Sequence, residues 1–227
     1  MALSEASEQP FGPRFEAAVS RLVGSPLFWT VLVLTIASYP IIHSLRAKLP
    51  PPPRVLGQMP NFSLTDQSGH AVGFHAGAAR GFDELNGKVW IAAFLSPKDP
   101  ISAPFLNRLN KLQSHVENLG ADFALVSFCK GLEPAELMPL AKQHHNSPRL
   151  WKLLAGAPDP VHAAAVAGLH EALHGEPGGV DLEALDRGNT FILVDQQGRI
   201  RGYYDSSDEP TVKEMLREIG QVANHLG

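Results

Sequence analysis

The sequence predicts an α/β fold, a mixed sheet covered by helices on both faces. Val89–Leu95 (VWIAAFL) and Phe123–Phe128 (FALVSF) are continuous apolar runs, as expected of strands buried on both sides. Between them Leu106, Leu109, Leu112, Val116 and Leu119 recur at three- and four-residue spacing, the signature of an amphipathic helix. The chain then closes with a hairpin followed by a helix. Strand, helix, strand, helix, hairpin, helix is the order of a sheet that needs cover on both faces.

The elements follow in order. Residues 1–25 are polar and mildly acidic, broken by Pro10, Gly12 and Pro13. Residues 26–46 contain Leu27–Leu45, a stretch without Asp, Glu, Lys or Arg. At about 1.5 Å per helical residue it just covers a hydrocarbon core of about 30 Å, and Trp29 and Tyr39 suit interfacial depths. A cleaved signal peptide would need a short basic leader and a small-residue cleavage site, neither of which is present. A buried core helix would show an apolar stripe, whereas this run is apolar on all sides. The segment therefore reads as a transmembrane anchor. Arg14 and Arg21 precede it and Arg46, Lys48 and Arg54 follow, so the positive-inside rule does not fix its orientation.

Residues 47–59 form a linker containing the proline run Pro50–Pro53, which favours an extended spacer. The soluble domain is expected over residues 60–227. Phe62–Thr65 and Ala71–Phe74 flank the turn Asp66-Gln-Ser-Gly69 and predict a first hairpin. A proline-rich loop, Ser96–Ala103, follows the first core strand, with Pro104 expected at the first position of the next helix. Pro134–His144 and Pro160–Leu173 read as helices, and Gly178–Gly179 as loop. Thr190–Val194 and Ile200–Tyr204 form a hairpin around Asp195–Gly198. Glu209–His225 is an amphipathic helix presenting Val212, Met215, Leu216, Ile219 and Val222.

Composition narrows the function. A formal net charge of −4 supplies no basic excess, which argues against nucleic acid as a partner. The single cysteine, Cys129, excludes an intrachain disulfide or dithiol pair. At the end of a core strand it reads as a small buried hydrophobe. His144 and His145 end a helix, where the dipole favours a cation. His170 and His174 stand at i and i+4, with His162 near the same helical face, a spacing that a metal could use. No nucleophile elbow or phosphate-binding glycine loop occurs.

The order of elements resembles the Sco/SenC family, thioredoxin-like proteins that help assemble cytochrome oxidase. The resemblance runs from about Pro60 to Leu226. It rests on PNFSLTDQSG, GKVWIAAFLS, SAPFLNRLNKLQSHV, FALVSF, LAKQHHNSPRLWKLLAG and TFILVDQQGRIRGYY, and on the single N-terminal span. It implies a thioredoxin-like fold. It also implies a copper-binding loop of the form C-P-x-x-C-P after the first core strand, and a histidine ligand just before the late hairpin. Here that loop reads Asp99-Pro100-Ile101-Ser102-Ala103-Pro104, and the histidine position aligns with Arg187. A methyl group donates nothing, a guanidinium cannot be deprotonated, and a carboxylate is a hard ligand for soft Cu(I). Thiol exchange needs two thiols that the loop lacks.

The resulting expectation is a membrane-anchored, non-enzymatic assembly or scaffold factor for a respiratory oxidase. It would have no catalytic residues, no cofactor and no metal at the family positions. Its partners would be the membrane and oxidase subunits, and its domain would lie on the periplasmic side of the inner membrane. Two alternatives remain open: a metal (copper) chaperone with a relocated site, using His162, His170 and His174 or Cys129 with a nearby histidine, and a one-cysteine peroxidase-like enzyme using Cys129.

Overall fold

The computed structural model describes residues 24–46, 51–100, 102–120, 122–156, 159–175, 185 and 188–224. The expectations for residues 1–23, for Gly178–Gly179, for Arg187 and for the end of the last helix at His225 lie outside them. The chain divides into two compact units, residues 1–50 and 51–227.

In the first unit, α1 (Pro26–Arg46) coils the apolar run into 21 residues, about 31 Å long at the usual rise. Its hydroxyls turn inward: Thr30 Oγ1 donates to the Pro26 carbonyl at 2.9 Å and Thr35 Oγ1 to that of Val31 at 2.8 Å. Among the described residues, no helix is long and apolar enough to cross a membrane. The side chains of Ala37 and of Tyr39 onward are outside the described set, so the apolar character of the second half of α1 rests on sequence alone.

The second unit is built on a six-stranded sheet in the order β1-β8-β7-β4-β5-β6, with a separate two-stranded β2-β3 ladder. The strands are β1 (Gly57–Gln58), β2 (Phe62–Thr65), β3 (Ala71–Phe74), β4 (Val89–Leu95), β5 (Phe123–Cys129), β6 (Trp151–Ala155), β7 (Thr190–Val194) and β8 (Arg199–Asp205). β4, β5 and β6 run parallel, while β7, β8 and β1 continue the sheet antiparallel from the other side of β4. The helices are α2 (Ser102–Val116), α3 (Pro134–Gln143), α4 (Asp159–Gly175) and α5 (Glu209–Asn224).

The period of two along each strand sorts the core into two layers. Val89, Ile91, Ala93 and Leu95 of β4, with Leu125 and Cys129 of β5, pack with Leu109 of α2, Leu137 of α3 and Met215 of α5. Trp90, Ala92 and Phe94, with Val126 and Phe128, pack on the opposite side with Val161, Ala165 and Leu169 of α4 and with Phe62 and Phe74 of the hairpin. All seven residues of β4 and of β5 are buried, which explains their unbroken apolar sequences.

Several boundaries differ from the sequence reading. α2 begins at Ser102 instead of Pro104. Pro104 is still in the first turn, where its missing N–H costs nothing because no carbonyl lies behind it. α3 ends at Gln143, with His144 as its cap and His145 left-handed at φ 48°. Asn146 N–H donates to the Ala141 carbonyl at 2.9 Å and His145 N–H to that of Lys142 at 3.3 Å, so His145 takes a position that glycine usually fills. The helix dipole does not hold His144 protonated. Burial, and then the neighbouring His145, lower its pKa below the usual imidazole value.

Strands β1 and β6 were not expected. β6 is held at the edge of the sheet partly by side chains. Buried Gln67 donates from Nε2 to the Trp151 carbonyl at 2.7 Å and accepts from Leu153 N–H at 2.8 Å. Its amide thus stands in for a missing neighbouring strand. Beside it, Asp66 pairs with Leu154 in an isolated antiparallel bridge. Asp66 Oδ1 accepts from Ser68 N–H at 2.8 Å and His70 N–H at 2.9 Å. Its other oxygen has no hydrogen bond but faces Lys152 Nζ at 3.6 Å. The turn of the first hairpin therefore closes an edge that would otherwise be open to strand addition.

Candidate functional site

The site indicated by the sequence lies at the carboxyl ends of β4 and β5. β4 enters a tight turn there: Asp99 N–H donates to the Ser96 carbonyl at 2.8 Å, and Ser102 N–H to that of Asp99 at 3.0 Å. Lys130 N–H donates to the Leu95 carbonyl at 2.8 Å and ties the two strand ends together. Lys98 reaches across to Glu136 in the first turn of α3, with Nζ 3.0 Å from Oε1. The Glu136 carboxyl is held below its ordinary value of 4.5, first by the Glu133 N–H and then by Lys98. The loop is thus positioned by backbone bonds and one exposed ion pair.

Its side chains carry little chemistry. Asp99 and Ala103 are both exposed, Ala103 presents only a methyl group, and Ser102 is buried. Arg187 lies outside the described residues, but its neighbour Gly188 is described. A Cβ at Gly188 would fall 2.7 Å from the Phe94 carbonyl oxygen, and its φ is +73°. Both facts demand glycine. They also bring the backbone entering β7 against the end of β4, beside the loop.

Next to the loop, a cleft of about 320 Å³ is lined by Phe94, Ser96, Phe128, Lys130, Asp159 and His162. Phe94 stacks on Phe128 with centroids 5.1 Å apart, and the His162 ring stands edge-on to Phe94 at 5.4 Å. Of the three histidines singled out in the sequence, only His162 is brought to the cleft. His170 is exposed two turns further along α4, about 12 Å away by helical rise, and the side chain of His174 is outside the described residues. Among the described residues, no group of three or more His, Cys, Asp or Glu is arranged to hold a metal ion.

Cys129 is fully buried on the opposite side of the sheet from this cleft. Its thiol lies 3.6 Å from the Ser127 carbonyl and against the backbone of Leu154, and desolvation, the larger effect, pushes its pKa up to about 12. A nucleophilic cysteine needs the reverse: access and a stabilised thiolate. The peroxidase-like alternative therefore finds no support in the geometry. Sequence reasoning missed Lys130 and Asp159 as lining residues because neither belongs to a motif. Asp159-Pro160 at a helix start was the only available signal.

No protein-family model matches the chain, and no curated protein sequence matches it. Solved structures do. A SCO1/SenC family lipoprotein from Bacillus anthracis str. Ames superposes with a TM-score of 0.55 at 22% identity, over 74% of this chain and 96% of its own. BsSco, a member of the Sco family of cytochrome c oxidase assembly proteins in which a disulfide switch was identified, superposes with a TM-score of 0.56 at 18% identity, over 78% and 99%. At such identities the likeness is one of fold. The mixed sheet, the crossing order of its strands and the helices on both faces make this a thioredoxin-like domain, similar in fold to the Sco/SenC proteins.

Proposed function

We propose that this chain is a divergent Sco/SenC-like protein that acts without enzymatic turnover, as an assembly or scaffold factor for a respiratory oxidase. The observation that carries the reading is the loop Ser96–Ala103. It follows the first core strand, where the resemblance implies the family's copper loop, and it presents an exposed carboxylate and an exposed methyl group at the positions that the resemblance assigns to thiolates. Asp99 and Ala103 do not fit Cu(I), which needs soft donors. A domain that presents this loop on a fixed frame is suited to recognition by shape and surface. Fold likeness to BsSco supports oxidase subunits as the partner class, and no resident cofactor is part of the reading.

The membrane belongs to the same proposal. α1 exposes Leu27, Trp29, Val31, Val33, Leu34 and Ile36 around its circumference, and returns its threonine hydroxyls to its own carbonyls, as a helix in lipid must. The tethered domain would span residues 60–227 after the linker 47–59, on the periplasmic side of the inner membrane. Protease access to tagged termini of the full chain tests that orientation.

The decisive experiment is metal analysis of the full chain in neutral detergent, offered Cu(I), Cu(II) and Zn(II) separately. The expected outcome is no stoichiometric retention of Cu(I). Tight Cu(I) binding lost on Asp99→Ala would overturn the reading. Retention of Cu(II) or Zn(II) lost on His162→Ala would move the function to a relocated site in the cleft of α4. Co-purification with oxidase subunits supports the partner class, and its absence from membranes rich in oxidase counts against it.

A further inference from the structure

A second concavity lies away from the loop, between α2 and α5. Its volume is about 310 Å³, at the lower end of the range of about 300–1,000 Å³ usual for small-molecule sites. The apolar part is made by Leu112, Phe191, Val212 and Leu216, and the polar part by Arg108, Lys111, His115 and Lys213. Arg108, Lys111 and His115 follow one another at three and four residues on α2, which puts them in one row. The three cations Arg108, Lys111 and Lys213 stand out together in a chain whose net charge is −4.

Arg108 is the central group. It is half-buried, and its Nη1 donates to Asn189 Oδ1 and, at 3.2 Å, to Ser206 Oγ. Asn189 is itself held from behind, its Nδ2 donating to Asp205 Oδ1 at 3.0 Å. The guanidinium is thereby fixed by neutral oxygens and makes no salt bridge among the described residues. A partly desolvated cation held without a counter-ion is costly unless something anionic comes to it. The one carboxylate in the concavity, Glu209, is exposed and bonds Lys213 at 3.0 Å. Its pKa is lowered by Lys213 first, and then by Lys111 and His115. Glu209 already acts as a weak resident anion, and among the described residues it makes no ion pair with Arg108 or Lys111.

We propose that the concavity between α2 and α5 binds a small organic anion, a carboxylate or phosphate head carried on an apolar body. The head would lie between Arg108 and Lys111 and the body on the half-buried Val212 and Leu216, above the closed-off Phe191 and Leu112. Arg108, with its fixed fork, suits a two-oxygen contact to either head group. The proposal does not rest on the oxidase reading and survives its failure.

The test is equilibrium dialysis of the full chain in neutral detergent, against protein-free micelles, with 2-naphthoate, 2-naphthyl phosphate and uncharged 2-naphthamide as probes. At least one anion is expected to bind saturably, more weakly as salt is added, with the amide about tenfold weaker or worse, the loss of roughly one charge-assisted bond. Naphthoate and naphthyl phosphate compared directly decide which head is preferred. Lys111→Gln, a change at an exposed position, should weaken binding several-fold, Arg108→Gln should abolish it, and Glu209→Gln should tighten it. Thermal melts guard against misfolding of Arg108→Gln, and Lys111→Gln keeps the test open if that variant fails to fold. Equal binding of amide and anions, no saturable binding of either anion, or unchanged or weaker binding in Glu209→Gln would overturn the proposal.

Discussion

The loop after β4 and the turn after β2 are both short, polar and rich in turn formers, yet the structure uses them in opposite ways. At Asp66-Gln67 the polar side chains are buried and their hydrogen bonds hold the edge strand β6. At Asp99–Ala103 the side chains of Asp99 and Ala103 are exposed, and the loop is positioned by backbone bonds together with the exposed Lys98–Glu136 ion pair. The difference teaches that polar residues near a strand end are no guide to chemistry. In this chain the buried polar cluster is structural, and the loop after β4 presents Asp99 and Ala103 to solvent.

The contrast can be broken most forcefully at the loop. Asp99→Cys combined with Ala103→Cys and Arg187→His should raise Cu(I) affinity above that of the parent by orders of magnitude, read by a competitive Cu(I) chelator assay. If the triple variant stays inert, the frame around the loop is not that of a copper site. Next in size is Gln67→Ala, which leaves the Leu153 N–H without its partner and the Trp151 carbonyl with Asn146 Nδ2 alone, at 3.0 Å. Urea unfolding should show a loss of about 2 kcal/mol, since one buried group left unsatisfied costs about 1–3 kcal/mol. Asp99→Ala, by contrast, should shift stability by less than about 0.5 kcal/mol, as exposed substitutions do. Similar costs at the two turns would erase the distinction.

A smaller effect sharpens the reading of α3. His145→Gly should stabilise the domain by about 1 kcal/mol by relieving a left-handed non-glycine residue, measured by the same unfolding curves. The smallest effect is one of pH. Tyr204 donates its hydroxyl to Glu218, and burial raises the Glu218 pKa above its ordinary value of 4.5. The folded state then favours the protonated acid. That contribution is fully present below about pH 4.5 and is lost as the pH rises through the higher folded-state value. Glu218→Gln should therefore compare better with the parent at pH 7 than at pH 4, and melting temperatures at the two pH values give the sign.

Much of the frame was legible in the sequence, for reasons that can be named. β4 and β5 are buried on both faces and read as unbroken apolar runs. The β7-β8 hairpin carries its own turn at Asp195–Gly198, where Asp195 Oδ1 accepts from Gln197 and Arg199 N–H groups at 2.9 Å. β6 escaped because its WKLLA sequence carries a lysine at its second position and lies at an edge. It becomes a strand through Gln67, which is 84 residues from Trp151 in sequence. β1 is only two residues long and exists through pairing with β8. At the candidate site the sequence revealed which donors the loop lacks, because that is a matter of side-chain identity. It did not reveal that His162 would lie against Phe94 while His170 faces solvent, or that Arg108 would be pinned by Asn189 and Ser206. Those are tertiary placements without a local pattern.

The sealed position of Cys129 has a practical consequence. Because the only sulfhydryl in the chain is walled off behind β5 and its neighbouring helices, the molecule can move between reducing and oxidising surroundings without change at its thiol. Oxidised glutathione should leave its mass untouched for as long as it stays folded, whereas peroxide should add oxygen at the exposed Met138 and leave Cys129 as it was.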